Sequence, residues 1–158
     1  MTVELSAMPE DRLRTWMITS STDYEQARLM AGDSAEVAAE KARTSFESSF
    51  PGGQPAPGHL VYDIVVTEPE TAAAVVGYLW IAPFTAGSDA WWVFDIAVDE
   101  QHRGAGFGRA AMQLAEKAAA EHGAATLGLN VFGYNTVARG LYDSLGYETT
   151  AVQMRKTV

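Results

Sequence analysis

The chain has 158 residues, 47% hydrophobic and 20% charged, with 20 Asp and Glu against 11 Lys and Arg and a formal net charge of −9. That length sets an expectation of one domain over residues 1–158, large enough to bury a substantial core. The acidic balance disfavours nucleic acid and anionic membrane as partners, and the lack of cysteine excludes disulfides, cysteine-ligated metal and a cysteine nucleophile.

The first residues, MTVELSAMPEDRLR, have neither a basic start nor an apolar run of signal length, and no apolar stretch could span a bilayer, so a cytoplasmic protein is expected. Val3, Leu5 and Ala7 alternate, predicting a strand over 3–8. Pro9 then opens a helix with Glu10 and Asp11 in its favourable first turn. Leu13, Trp16, Met17, Tyr24 and Ala27 continue its apolar face, with a break expected at Ser20-Ser21-Thr22-Asp23. Gly32 ends it, and Ser34 caps a second helix to about Phe50. Residues 51–58 form a proline- and glycine-rich loop. Strands are expected over 60–67 and 75–84, paired as a hairpin, followed by an almost wholly apolar strand over 91–98.

Phe107, Ala110, Ala111, Leu114, Ala115 and Ala118 recur at helical spacing, and Gly123 is placed to end that helix. A strand over 125–132, a helix over 135–145 closed by Gly146, and one last strand within 147–156 complete the order. The predicted fold class is α+β: a mixed, mostly antiparallel sheet with one parallel β–α–β crossover and helices on both faces.

Between the 91–98 strand and its helix lies Arg103-Gly104-Ala105-Gly106-Phe107-Gly108. Three glycines in five positions cost backbone entropy, so this turn requires bare backbone. A helix start presents unpaired N–H groups and the positive end of the dipole, which together favour an anion, typically a phosphate. Arg103 and Arg109 add two cations of suitable geometry. The local reading is a diphosphate-binding turn. Two others stand beside it. Gly106-Phe107-Gly108-Arg109-Ala110-Ala111 also satisfies the dinucleotide fingerprint G-x-G-x-x-A, but the next strand offers Asn130 where that fold wants a carboxylate for ribose. A purely structural glycine turn is the other.

The spacing Arg103-x-x-Gly106-x-Gly108 resembles the pyrophosphate-binding signature of the GNAT superfamily of N-acetyltransferases. Leu129-Asn130-Val131-Phe132-Gly133-Tyr134-Asn135, with Ala138, Leu141-Tyr142 and Leu145-Gly146-Tyr147, extends the resemblance over 91–147. Upstream, only the element order matches. The resemblance implies a GNAT-like fold and acetyl-CoA as a co-substrate, its diphosphate held by Arg103, Gly104, Ala105, Gly106, Phe107, Gly108 and Arg109. It also implies a splay between the strands ending near Val98 and Phe132. There, main-chain groups of Ile96 and Val98 would pair with the pantetheine amides, and a main-chain N–H would polarise the thioester carbonyl. Asn135 and Ala138 fall at cofactor-contacting positions, while Asn135 reads equally as a helix cap.

In relatives the tyrosine of the matching Leu-Tyr pair protonates the leaving thiolate, which implies that role for Tyr142. A phenol near 10 and a thiol near 8.5 suit the transfer. Tyr142 also lies on the apolar stripe of its helix, where a core aromatic is the alternative. Gly140, costing about 1 kcal/mol against alanine mid-helix, hints at a close backbone approach. Asp95, in an apolar strand, is either structurally paired or the base that takes a proton from the incoming ammonium.

His59, His102 and His122 are isolated and form no metal pattern, and no G-x-S-x-G elbow is present, which favours direct attack in a ternary complex. Where the family often has a further hairpin, Tyr147 to Lys156 leaves room for little more than one strand, so the acceptor pocket is expected to depend more on the two N-terminal helices, with Trp16, Tyr24 and Phe46 as candidate lining residues. The expected activity is an N-acetyltransferase acting on a primary amine, whether a small molecule, an antibiotic or a protein amine, with a homodimer left open. The rival reading is a non-catalytic acyl-CoA-binding or sensing module on the same fold, and a more distant one is a nicotinamide or flavin nucleotide enzyme.

Overall fold

A computed structural model describes all 158 residues. Its single sheet has the order β1 (Thr2–Ala7), β2 (Leu60–Thr67), β3 (Ala74–Pro83), β4 (Ala90–Val98), β5 (Thr126–Leu129). The first four are antiparallel neighbours, and β4 pairs with β5 in parallel. A parallel neighbour needs a crossover, supplied here by helix α3 (Phe107–Glu121). The expected α+β fold is the one observed.

Helices α1 (Glu10–Met30) and α2 (Ala35–Ser49) cover one face. Leu13 and Trp16 of α1 pack there with Phe50, Val61 and Trp80, and Phe46 joins them. The opposite face meets α3 and α4 (Thr136–Ser144). Leu79, Ile81, Trp91 and Val93 contact Met112, Ala115 and Ala119 of α3, with Tyr142 and Leu145 of α4 at the margin. Two-sided coverage explains why β3 and β4 read as nearly continuous apolar runs.

Three expectations change. Helix α1 runs unbroken through residues 20–23. Thr19 and Thr22 hydroxyls bond the carbonyls of Thr15 and Ile18 one turn back, so they do not compete for the helix backbone, and Ser20 faces inward, 2% exposed. Strand β5 stops at Leu129, three residues short of the predicted end. The last strand is not formed: residues 148–158 are irregular, tied by Arg155 Nη1 donating to the Gly32 carbonyl at 3.2 Å. A strand exists only through its ladder, and residues 148–158 pair with neither rim strand, β1 or β5.

Candidate active site

Strand β4 is where the sheet opens. Its ladder with β5 covers only Ala90↔Thr126 to Val93↔Leu129. On the other side, Ile81 faces Val93 while Trp80 faces Asp95, so Phe94 is an extra, bulged residue. Beyond it β4 keeps β3 as a neighbour through Gly77↔Val98 but has none towards β5. The Asp99 N–H bonds to the Val76 carbonyl at 2.8 Å, so alternation turns the main chain of Ile96 and Val98 to the open edge. Arg103 Nε donates to the Val98 carbonyl at 3.0 Å, which leaves the Val98 N–H free. The ladder therefore stops at Val93 and Leu129, and β4 runs on to Val98 without a partner on this side.

The glycine turn lies at the far end of this edge. Gly104 and Gly106 adopt φ of 79° and 84°, a left-handed backbone that other residues rarely take. No acceptor within the chain takes the N–H groups from Gly104 through Arg109; Ala110 is the first to find one, the Gly106 carbonyl at 3.1 Å. A methyl at Gly104 or Gly106 would meet no protein atom within 4 Å, whereas one at Gly108 would meet Leu141 at 3.5 Å and Val98 at 4.0 Å. The end of β4, the start of α3 and the face of α4 thus converge. The Phe107 side chain belongs to the core with Ile64, Val66 and Val76, so only its main chain faces the turn. Arg109 reaches across to α4, Nη2 donating to Ser144 Oγ at 2.7 Å, so Arg103 is the cation held at the turn.

The bulge places Phe94 and Asp95 together on the α1–α2 face. Ser20 of α1 donates to Asp95 Oδ2. Burial pushes the Asp95 carboxyl above the usual range, opposed by the Ser20 and Tyr78 hydroxyls and reinforced by the charge of Asp23. Tyr142, on α4, sits edge-on to Tyr147 at 6.0 Å between ring centroids. Burial and then the Asp95 charge raise its phenol, so it stays protonated at neutral pH. The two predicted catalytic side chains thus feel each other from opposite faces of the opened sheet.

Asn135 Oδ1 accepts from the Ala138 N–H at 3.2 Å, a cap that leaves its amide NH2 free. No protein atom comes within 4 Å of a methyl placed at Gly140, so no protein contact requires that glycine. Trp16 lines a cavity of about 340 Å³ with Arg12, Thr15, Thr19 and Tyr78, whereas Phe46 packs into the core and Tyr24 is 36% exposed, so the three do not share one pocket. Sequence reasoning missed Ser20 and Tyr78. The signal was there: Ser20 continues the Leu13–Trp16 stripe at helical spacing, and Tyr78 alternates with Trp80 on the same face of β3. No group of three or more His, Asp or Glu is arranged to hold a metal, and no helix is long and apolar enough to cross a membrane.

The site thus combines an anion cradle of bare N–H groups, an unpaired strand edge leading from it, and two titratable groups of raised pKa, Tyr142 and Asp95, on opposite faces of the opening. Comparison with known proteins bears on the fold and the family. Over its full length the chain is similar to YycN of Bacillus subtilis (strain 168), an uncharacterized N-acetyltransferase: 29% identical over 159 residues, covering 99% of each chain. The crystal structure of YycN superposes with a TM-score of 0.86 at 27% identity, again covering 99% of both. A second uncharacterized N-acetyltransferase of that strain, YdgE, is 28% identical over 99% of this chain and 98% of its own. The fold extends to AAC(6')-Iy, solved with the bisubstrate analogue CoA-S-monomethyl-acetylneamine, at 14% identity, full coverage of both chains and a TM-score of 0.56. The acetyltransferase (GNAT) family profile matches residues 19–147, and the chain belongs to that family.

Proposed function

We propose that the whole chain, residues 1–158, is one catalytic unit that transfers the acetyl group of acetyl-CoA to a primary amine by direct attack in a ternary complex. The observation that carries this reading is the run of unpartnered N–H groups from Gly104 through Arg109 beside the unpaired edge of β4. Those groups, with the Arg103 guanidinium, hold the diphosphate. The main chain of Ile96 and Val98 lines the pantetheine, with Asn135 and Ala138 flanking it from α4. The bisubstrate analogue held by AAC(6')-Iy supports a coenzyme in this fold.

The thioester supplies the activated acyl group, and the residues of this chain manage protons and charge. The amine lone pair attacks the carbonyl carbon, and a main-chain N–H on the open edge of β4 stabilises the developing oxyanion, an effect worth roughly 3–4 kcal/mol in a dry site. As the carbon–sulfur bond breaks, the Tyr142 hydroxyl donates its proton to the departing thiolate. Asp95 takes the surplus proton from the nitrogen, directly or through water, and burial, which raises its pKa, makes it a stronger base than an exposed carboxylate. After the products leave, Tyr142 recovers a proton from solvent and Asp95 releases one to it.

The test combines calorimetric titration with acetyl-CoA and NADH with a thiol-release screen over amines and peptides. Acetyl-CoA at about 100 times its dissociation constant should add about 2.7 kcal/mol of stability, NADH should add none, and at least one amine should release thiol. Equal responses to both coenzymes would remove the assignment. Tight acetyl-CoA binding with silence across all acceptors would make the protein a sensor.

A further inference from the structure

We propose that the pocket on the α2 side of the β4 bulge seats the acceptor amine, and that it selects amines whose neighbouring group is uncharged and accepts a hydrogen bond, such as an amide or ester carbonyl on an apolar scaffold. The inference deepens the transferase reading and rests on it.

The pocket holds about 380 Å³, and its walls include Ser45, Ser49, His59, Pro83, Phe84 and Phe94. That is the size of a small-molecule site. Phe94 is the bulged residue and immediately precedes Asp95, so one wall of the pocket adjoins the proposed base along the chain. The Phe84 N–H bonds to the Ala90 carbonyl at 2.8 Å, which puts the other wall at the start of β4, while the diphosphate turn follows its end. The two substrates would therefore approach the bulge from opposite ends of one strand.

The polar groups at the wall are donors without charge. His59 Nδ1 accepts from Trp80 Nε1 at 3.1 Å, which places the ring proton on Nε2. The imidazole is held 5.9 Å from the Phe94 ring and 6.2 Å from the Phe50 ring. Burial lowers its pKa, keeping it neutral. Ser49 is only 7% exposed, and its hydroxyl makes no hydrogen bond within the chain, whereas neighbouring Ser48 bonds the Ser45 carbonyl. No Asp, Glu, Lys or Arg lines the pocket. A cationic or carboxylate tail would lose its hydration there with no counter-charge, at several kcal/mol. A neutral carbonyl would satisfy both the Ser49 O–H and the His59 Nε2–H, with Phe84, Phe94 and Pro83 covering an apolar remainder.

The test compares phenylalaninamide, phenethylamine, phenylalanine and spermidine as acceptors at saturating acetyl-CoA, in wild type, Ser49→Ala, His59→Phe and His59→Gln. The amide should exceed the other three in kcat/KM by tenfold or more. Ser49→Ala and His59→Phe should each lower that value by about tenfold through KM, leaving acetyl-CoA affinity unchanged, and His59→Gln should restore it, because its amide can both accept from Trp80 and donate to the ligand. Preference for spermidine or phenylalanine, or indifference to both variants, overturns the proposal. Should no amine turn over while acetyl-CoA binds, the transferase reading fails. The pocket is then judged by binding: N-acetylphenylalaninamide added with coenzyme A must shift the His59 ring nitrogen resonances, and no shift overturns the proposal.

Discussion

Gly106 and Gly123 form a matched pair for testing the diphosphate seat. Both adopt left-handed backbone, φ 84° before α3 and φ 91° after it, and a methyl at either meets no protein atom within 4 Å. Alanine in that conformation costs roughly 1–2 kcal/mol, offset by about 0.4–1 kcal/mol from the stiffer unfolded chain. The net loss is about 1 kcal/mol in each case, or roughly 2–4 °C in Tm for a chain of this size. The functional consequence should differ. At Gly106 the strain is relieved by rotating the entry to α3, which re-aims the N–H groups of Phe107 and Gly108; at Gly123 it disturbs only the far cap of that helix. A charge-assisted hydrogen bond is worth about 1.5–3 kcal/mol, so losing one should weaken coenzyme A binding by tenfold or more. Thermal melts would establish equal destabilisation, and calorimetric titration with coenzyme A would read affinity. Unchanged affinity in Gly106→Ala, or an equal loss in Gly123→Ala, would refute the reasoning.

Other perturbations separate chemistry from packing. Tyr142→Phe keeps the ring packing and should retain acetyl-CoA binding while kcat falls by about 10² or more; unchanged turnover in the thiol-release assay would leave Tyr142 a packing residue. Asp95→Asn should abolish most activity yet raise Tm at pH 7. Because folding raises the Asp95 pKa, ionisation costs the folded state stability as pH rises above the ordinary carboxylate range; the gain in the variant should therefore shrink as pH falls through that range, and melts showing a gain that persists at low pH would contradict the burial argument. In β2, Asp63 is 4% exposed and held by Arg12, Nη2 to Oδ1 at 2.8 Å and Nε to Oδ2 at 3.0 Å. Removing its partner in Arg12→Ala should cost about 2 kcal/mol in urea unfolding, discounted because Arg12 is itself half exposed. Arg43→Ala, which breaks exposed pairs with Glu40 and Glu47, should cost far less; equal costs would show that burial of Asp63 is not the deciding factor.

Much of this protein was legible in one dimension because the signals are local. Alternation and apolar runs located β2, β3 and β4 to within a residue or so, Ser34 and Asn135 cap the helices they precede, and glycines mark the turn before α3 because few other residues tolerate its backbone. What neighbours do to one another lay beyond reach. The strand expected after Tyr147 does not form, because residues 148–158 pair with neither rim strand. Ser20 reads as a helix breaker until Asp95 is placed above it. The Phe94 bulge, which puts two successive residues on one face, depends on the register between β3 and β4. That register turns Asp95 towards α1 and lays Phe94 against His59 in the neighbouring pocket. Propensity is a property of a segment, whereas register, burial and the partner of a polar group are set only when distant segments compete for the same hydrogen bonds and the same dry space.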